Sequence, residues 1–134
     1  MHEVIKELRE KEGIESIGVS GYCYGGRIAV KLAATNEIKA AAVHHPAPLQ
    51  IPTEIEEIKI PTIWLCAEID NTFPQDARKA TQEILEKRGM KATFKDYPGT
   101  EHGFAIRGDE SNEVVYKAKI DALTSDIEFF KNEL

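Results

Sequence analysis

Apolar positions along the chain alternate between helical spacing and short unbroken runs. Residues 2–12 place Val4, Ile5 and Leu8 on one side and stop at Gly13, which predicts a helix. Ile14 to Ser20 reads as a short apolar strand, and Gly21-Tyr22-Cys23-Tyr24-Gly25-Gly26 as a tight turn. A second helix is expected from about Gly26 to Thr35, burying Ile28, Ala29, Leu32 and Ala33. Ala40 to His44 is a strand whose continuous apolar character suits a parallel neighbour on each side and cover on both faces. Thr53-Glu54-Ile55-Glu56 has the spacing of a capping box, so a short helix is expected there. Pro61 to Ala67 is a third strand, with its proline at the tolerated first position. A helix from about Gln75 to Arg88 presents Ala77, Ala80, Ile84 and Leu85, and Gly89 ends it. Thr93 to Tyr97 is a fourth strand. In the last helix, from near Glu113, Tyr116, Ile120, Leu123, Ile127 and Phe130 recur every three or four residues as an amphipathic stripe.

Strand and helix take turns, which predicts right-handed crossovers and a parallel sheet. The expected fold class is α/β: about four parallel strands flanked by helices, over one domain spanning residues 1–134. A chain of this length removes roughly two-thirds of its unfolded surface from water. In open parallel sheets the crevice lies outside the C-terminal strand ends. The strand-to-helix loops are therefore where chemistry is sought, and Cys23, Asp70 and His102 all fall in them.

Gly21-x-Cys23-x-Gly25 is a nucleophile-elbow pattern with cysteine as the nucleophile. The elbow demands a strained residue between strand and helix, and small neighbours so that the two can pass closely. Cys23 would sit at a helix N-terminus, whose partial positive charge lowers a thiol pKa. The backbone N–H of Tyr24 would point at a developing oxyanion. Asp70 directly follows a buried strand, with Glu68 as the rival acid. His102 lies on a glycine-flanked loop after the last strand and suits a general base. The order nucleophile, acid, histidine is the order of α/β-hydrolases. Arg107 is a candidate for a substrate carboxylate, and Tyr22 for the pocket wall. His44 and His45, at a strand end before Pro46, could line the crevice, though a strand-end histidine is more often structural; Cys66 and Trp64 read as core.

Composition narrows the classes. With 17 basic and 23 acidic residues the net charge is −6, which argues against nucleic acid as a partner. Hydrophobic residues at 42% and charged residues at 30% are ordinary for a soluble globular protein. No apolar run approaches a membrane span, and the N-terminal residues do not read as a signal peptide. Neither cysteine belongs to a CxxC pair, so no metal and no cofactor is expected, and a reducing, cytoplasmic setting is the default.

Taken together, Gly21 to Gly26 followed by Arg27, the Asp70 loop ending in Phe73-Pro74, and His102-Gly103-Phe104 resemble the dienelactone hydrolase (carboxymethylenebutenolidase) family. Val43-His44-His45-Pro46 looks more like its eukaryotic members than its bacterial ones. The resemblance spans the whole chain and covers the C-terminal half of the family's α/β-hydrolase domain. It implies hydrolysis of a lactone or ester by a Cys23–Asp70–His102 triad, with a substrate-binding arginine to which Arg107 is a fair match. It also implies that a preceding half would supply further strands, a covering helix and a second oxyanion-hole N–H. Without that half, the first strand becomes an edge and an apolar face is left open. A homo-oligomer, or docking to an N-terminal half, is therefore expected. The competing expectations are an inert module that keeps the fold, and a flavodoxin-like cysteine protein of the glyoxalase/chaperone kind, which the Asp70 and His102 loops disfavour.

Overall fold

The computed structural model describes all 134 residues. Four strands, β1 (Gly18–Tyr22), β2 (Ala40–His44), β3 (Thr62–Ile69) and β4 (Ala92–Glu101), form one parallel sheet in the order β1-β2-β3-β4. The helices are α1 (His2–Glu12), α2 (Tyr24–Ala33), α3 (Thr53–Glu56), α4 (Gln75–Lys87), α5 (Phe104–Arg107) and α6 (Glu113–Glu133). No helix is long and apolar enough to cross a membrane.

Side chains alternate across each strand, and the two faces build two cores. Ala41, Val43, Trp64 and Cys66 point to one face and pack with Ile5 of α1, Ala29, Val30 and Ala33 of α2, Ile55 of α3 and Leu85 of α4. Ala42, Ile63, Leu65 and Ala67 point to the other and pack with Phe104, Ala118 and Ala122. Strand order follows chain order, so crossovers of one hand put α2 and α4 on the same side. That leaves α6, packed on the opposite face, as the main cover there. Trp64 is fully buried between Phe73 and Phe94, both stacked on it at 5.6 and 5.5 Å.

Pairing moves several boundaries. β1 starts at Gly18, four residues later than the apolar pattern suggests, because its register matches Gly18 to Ala40. It runs on through Gly21 and Tyr22, which pair with Val43 and His44. β4 extends to Glu101 because its pairing with β3 resumes past an irregularity at Ala67 to Ile69. The short helix at Thr53 forms without its capping box: Thr53 makes no cap bond, and Glu54 instead accepts from Gln50 N–H at 2.7 Å and from the Arg27 guanidinium. On α1 only Ile5 is buried, and Val4 faces outward.

The largest departure is α6. Its expected core stripe is largely exposed: Tyr116, Ile120, Leu123 and Ile127 are 45–52% accessible. The face toward the sheet carries Ala118, Ala122, Ser125 and Asp126 instead. The small residues let the helix lie close to the sheet. Asp126 is held by His44 Nε2 at 2.8 Å and Ser20 Oγ at 2.6 Å. Phe130, at the end of the stripe, is the member that turns in, its ring lying over Gly18.

The two faces of α6 should respond differently to charge. At concentrations where the chain is monomeric, Ile120→Glu with Ile127→Glu is expected to shift the urea-unfolding free energy by no more than about 1 kcal/mol, while Ala122→Glu, at a fully buried position, should cost more than about 3 kcal/mol.

Candidate active site

Cys23 joins β1 to α2 with φ 52° and ψ −115°, a conformation that costs a non-glycine residue roughly 1–3 kcal/mol. Four backbone hydrogen bonds hold it there. Its N–H donates to His44 O at 3.2 Å, and its carbonyl accepts from Gly26, Arg27 and Ala47 N–H at 3.1, 3.4 and 2.8 Å. The glycines around it play unequal parts. A Cβ on Gly21 would lie 2.1 Å from Gly25 O, and one on Gly26 would press on His44 O and Pro46 Cα at 3.1 Å. A Cβ on Gly25 would meet nothing within 4 Å. Gly25 contributes by the closeness of its backbone, and the residues that must lack a side chain are Gly21 and Gly26.

Asp70 is buried just past the end of β3. Its Oδ1 accepts from Thr72 N–H at 2.9 Å and Phe73 N–H at 3.1 Å, and lies 2.8 Å from the Thr72 hydroxyl. His102, just past β4, brings Nδ1 to 3.0 and 2.9 Å from Asp70 Oδ1 and Oδ2. Burial pushes the Asp70 carboxyl up, but the bonds from His102 and Thr72 outweigh it and hold the group below the ordinary carboxylate range. The rival acid, Glu68, is exposed and turned onto β4, where it accepts from Gly99 N–H at 2.8 Å. Of the two carboxylates, Asp70 is the one that meets the histidine. With Nδ1 engaged, Nε2 is the free nitrogen of His102.

The thiol's nearest partner is His45. Its Nδ1 lies 3.4 Å from Cys23 Sγ, whereas Cys23, His45 and His102 as a group keep their ligating atoms within 4.8 Å of one another. His45 is fully buried, has φ 30°, and is anchored by its N–H on Leu65 O at 3.0 Å. Its ring meets His102 and Phe104 edge-on at 5.1 and 5.5 Å, and its Nε2 is buried without a partner. Burial, then repulsion from His102 and His44, lowers its pKa to about 4. His45 therefore belongs to this cluster, a place the sequence reading did not give it. The signal available was its position one residue past a strand end, before a proline.

Arg107 sits at the end of the short helix α5, which the apolar pattern does not announce, and brings Nη2 to 3.9 Å from Cys23 Sγ. Burial pushes the Cys23 thiol up, against the pull of the Arg107 cation, and the net direction is upward. The expected lowering by the helix N-terminus is thus outweighed by desolvation. Tyr24 is the first residue of α2, so its N–H has no acceptor inside the helix, and its side chain is exposed. Tyr22 stacks on His44 with 4.1 Å between ring centroids and lies tilted 6.2 Å from His45. A cavity of about 300 Å³ opens beside His102, lined by Gly103, Phe104, Arg107, Asp109 and Asn112. Cys66, the other cysteine, is buried within β3, where desolvation pushes its thiol to about 12.

A parallel sheet with a cysteine elbow after β1, an acid after β3 and a histidine after β4 is the α/β-hydrolase arrangement. The model of the dienelactone hydrolase family matches residues 2–134, and the chain belongs to that family. It is 32% identical over 126 residues to hydrolase tropI of Talaromyces stipitatus, covering 94% of this chain and 49% of that protein. It is 28% identical over 119 residues to a human carboxymethylenebutenolidase homolog, covering 88% and 49%. A Klebsiella pneumoniae crystal structure assigned as a dienelactone hydrolase superposes with a TM-score of 0.82 at 21% identity, over 97% of this chain and 58% of that one. The chain spans about half the length of these curated relatives.

Two predictions follow from the elbow and the buried imidazole. Gly21→Ala should destabilise by at least about 2 kcal/mol in urea unfolding, through overlap with the Gly25 backbone. Gly25→Ala, in open space on a helix, should be neutral or stabilise by up to about 1 kcal/mol. For His45, the unfolded ring titrates near ~6.5 and the folded ring at about 4. Between those values the unfolded chain takes up a proton that the folded chain refuses, so stability falls as pH drops through the window. In metal-free buffer the unfolding free energy should decline more steeply from pH ~6.5 to ~4 for the parent than for His45→Gln. Parallel declines would show that His45 is protonated in the folded protein.

Proposed function

We propose that the chain hydrolyses a lactone or carboxylic ester through Cys23, with His102 as base and Asp70 as its orienting carboxylate. The observation that carries this reading is the convergence of the three groups from separate strand ends, with Asp70 already 2.9 Å from His102 Nδ1. In the proposed reaction the thiol swings from His45 toward His102 and gives its proton to Nε2. The sulfur attacks the carbonyl carbon, and the oxyanion is received by Tyr24 N–H. Collapse breaks the ester C–O bond, and His102 returns the proton to the departing alkoxide. A water molecule, deprotonated by His102, then cleaves the thioester and restores the thiol. Asp70 keeps the imidazole in the tautomer that presents Nε2 and stabilises its protonated form. Arg107, with its charge 3.9 Å from the sulfur, favours the thiolate and suits a substrate bearing a carboxylate. Tyr22 borders the crevice beside His45.

The relatives, a hydrolase and a carboxymethylenebutenolidase homolog, support this reading. A second reading, an inert module that keeps the fold, draws on the resting thiol: it contacts His45 rather than His102 and is raised by burial. The two separate in one assay. Under the hydrolase reading, aryl-ester hydrolysis at pH 7 exceeds the buffer rate and is abolished in Cys23→Ala, and Asp70→Asn lowers kcat by at least ~10²-fold. Parent and Cys23→Ala rates that both equal the blank favour the inert module.

We also propose that the chain self-associates through the exposed α6 stripe, Tyr116, Ile120, Leu123 and Ile127. Sizing chromatography at micromolar concentration should give a species larger than a monomer. The Ile120→Glu, Ile127→Glu variant should return it to one. A single sharp monomer peak for the parent overturns this.

A further inference from the structure

One thiol sulfur and two imidazole nitrogens converge at the C-terminal ends of the strands. Cys23 arrives from β1, His45 from β2 and His102 from β4, and their ligating atoms all lie within 4.8 Å of one another. We propose that this cluster is a site for a divalent transition-metal ion of the zinc type, and that metal occupancy excludes thioester chemistry at Cys23. The exclusion rests on the hydrolase reading; the site itself rests on the ligand set.

The donor set selects the metal. A thiolate with two imidazoles suits Zn²⁺ or Co²⁺ and not Mg²⁺ or Ca²⁺, which take oxygen ligands. A tetrahedral zinc with bonds of ~2.3 Å to sulfur and ~2.05 Å to nitrogen requires a sulfur–nitrogen edge of about 3.5 Å. Cys23 Sγ and His45 Nδ1 already stand 3.4 Å apart. The other two edges are at most 4.8 Å and need to shorten by no more than about 1.4 Å. His102 can supply that closure, because its side chain is partly exposed and precedes Gly103.

The surroundings fit as well. His102 has Nδ1 on the Asp70 carboxylate, which leaves Nε2 as ligand and gives the carboxylate–histidine–metal relay common in zinc sites. His45 is fixed between His102 and Phe104, so its ring pays little further ordering on binding. Three protein ligands leave a fourth position open toward the crevice, the arrangement of an accessible rather than a structural zinc. Arg107 is the one cation facing the sulfur, and its exposed side chain has to swing away as the ion enters. Each ligand comes from a different loop, so no CxxC or HxxH spacing records the site in the sequence.

The test uses the whole chain, reduced and metal-free, titrated with Co²⁺ and then Zn²⁺. One equivalent of Co²⁺ should produce a thiolate-to-metal charge-transfer band with the intense d–d bands of a tetrahedral site, and Zn²⁺ should bleach both. Cys23→Ser, with its fold checked by circular dichroism, should lose the charge-transfer band. His45→Gln and Asp70→Asn should each weaken binding by at least ~10-fold, the first by removing a ligand and the second by releasing His102. Where the ester assay reports activity, one equivalent of Zn²⁺ should abolish it and a chelator restore it. The absence of a charge-transfer band, its persistence in Cys23→Ser, or equal affinity in His45→Gln overturns the site. An inert parent that still shows the band overturns the hydrolase reading and leaves the metal site standing.

Discussion

Everything in the crevice hangs on one residue held in a backbone conformation it does not prefer. Cys23 at φ 52° cannot persist unless its surroundings over-determine it, and four backbone hydrogen bonds to β2, α2 and the loop after β2 do so. One of them, from Ala47, comes from the loop that also carries His45. The same close approach of strand and helix that imposes the strain forbids a side chain at Gly21. It also places the sulfur within reach of the β2, β3 and β4 loops at once.

The electrostatics follow from burial acting on groups of different kinds. Asp70 is buried but well supplied with donors, so it stays ionised. His45 is buried with a second imidazole on each side, so it stays neutral. Cys23 is partly buried, with one cation near it, and its thiol is held upward. The three outcomes differ: a fixed negative charge behind His102, an uncharged ring against the sulfur, and a thiol that in the proposed reaction gives its proton to His102. On the far side of the sheet His44 and Asp126 form a second buried pair, tied to Ser20 of β1. That pair anchors α6 to β1 and β2, and so to the strand that ends at the elbow.

Much of this was legible in the sequence. The alternation of strand and helix gives the parallel sheet, and the sheet alone directs attention to Cys23, Asp70 and His102. What was not legible depends on pairing or on distance. The extension of β1 to Tyr22 is decided by β2, and the extension of β4 by β3. The choice of Asp70 over Glu68 is decided by where His102 arrives. His45 escapes a one-dimensional reading because a histidine beside a proline at a strand end looks the same whether it packs or faces a thiol. The helix α5, at four residues, is too short to carry a period, yet it sets the position of Arg107.

The stripe on α6 is the more instructive misreading. Its period is real, and periodicity correctly identifies the helix; what periodicity does not say is which face meets this sheet. The inward face is chosen by closeness, because Ala118, Ala122 and Ser125 permit an approach that Ile120 and Leu123 would block, and by the buried bond of Asp126 to His44. Four large apolar side chains are thereby left outward, on a helix whose last turn lies over β1, the edge strand that delivers Cys23. An apolar face and an unpaired strand edge are both surfaces open to association. They are separate surfaces, because α6 packs across β2, β3 and β4, whereas the elbow and Tyr24 N–H stand at the end of β1. Covering the stripe and supplying the elbow with a further donor are therefore two structural questions, and a change on the outward face of α6 need not reach Cys23.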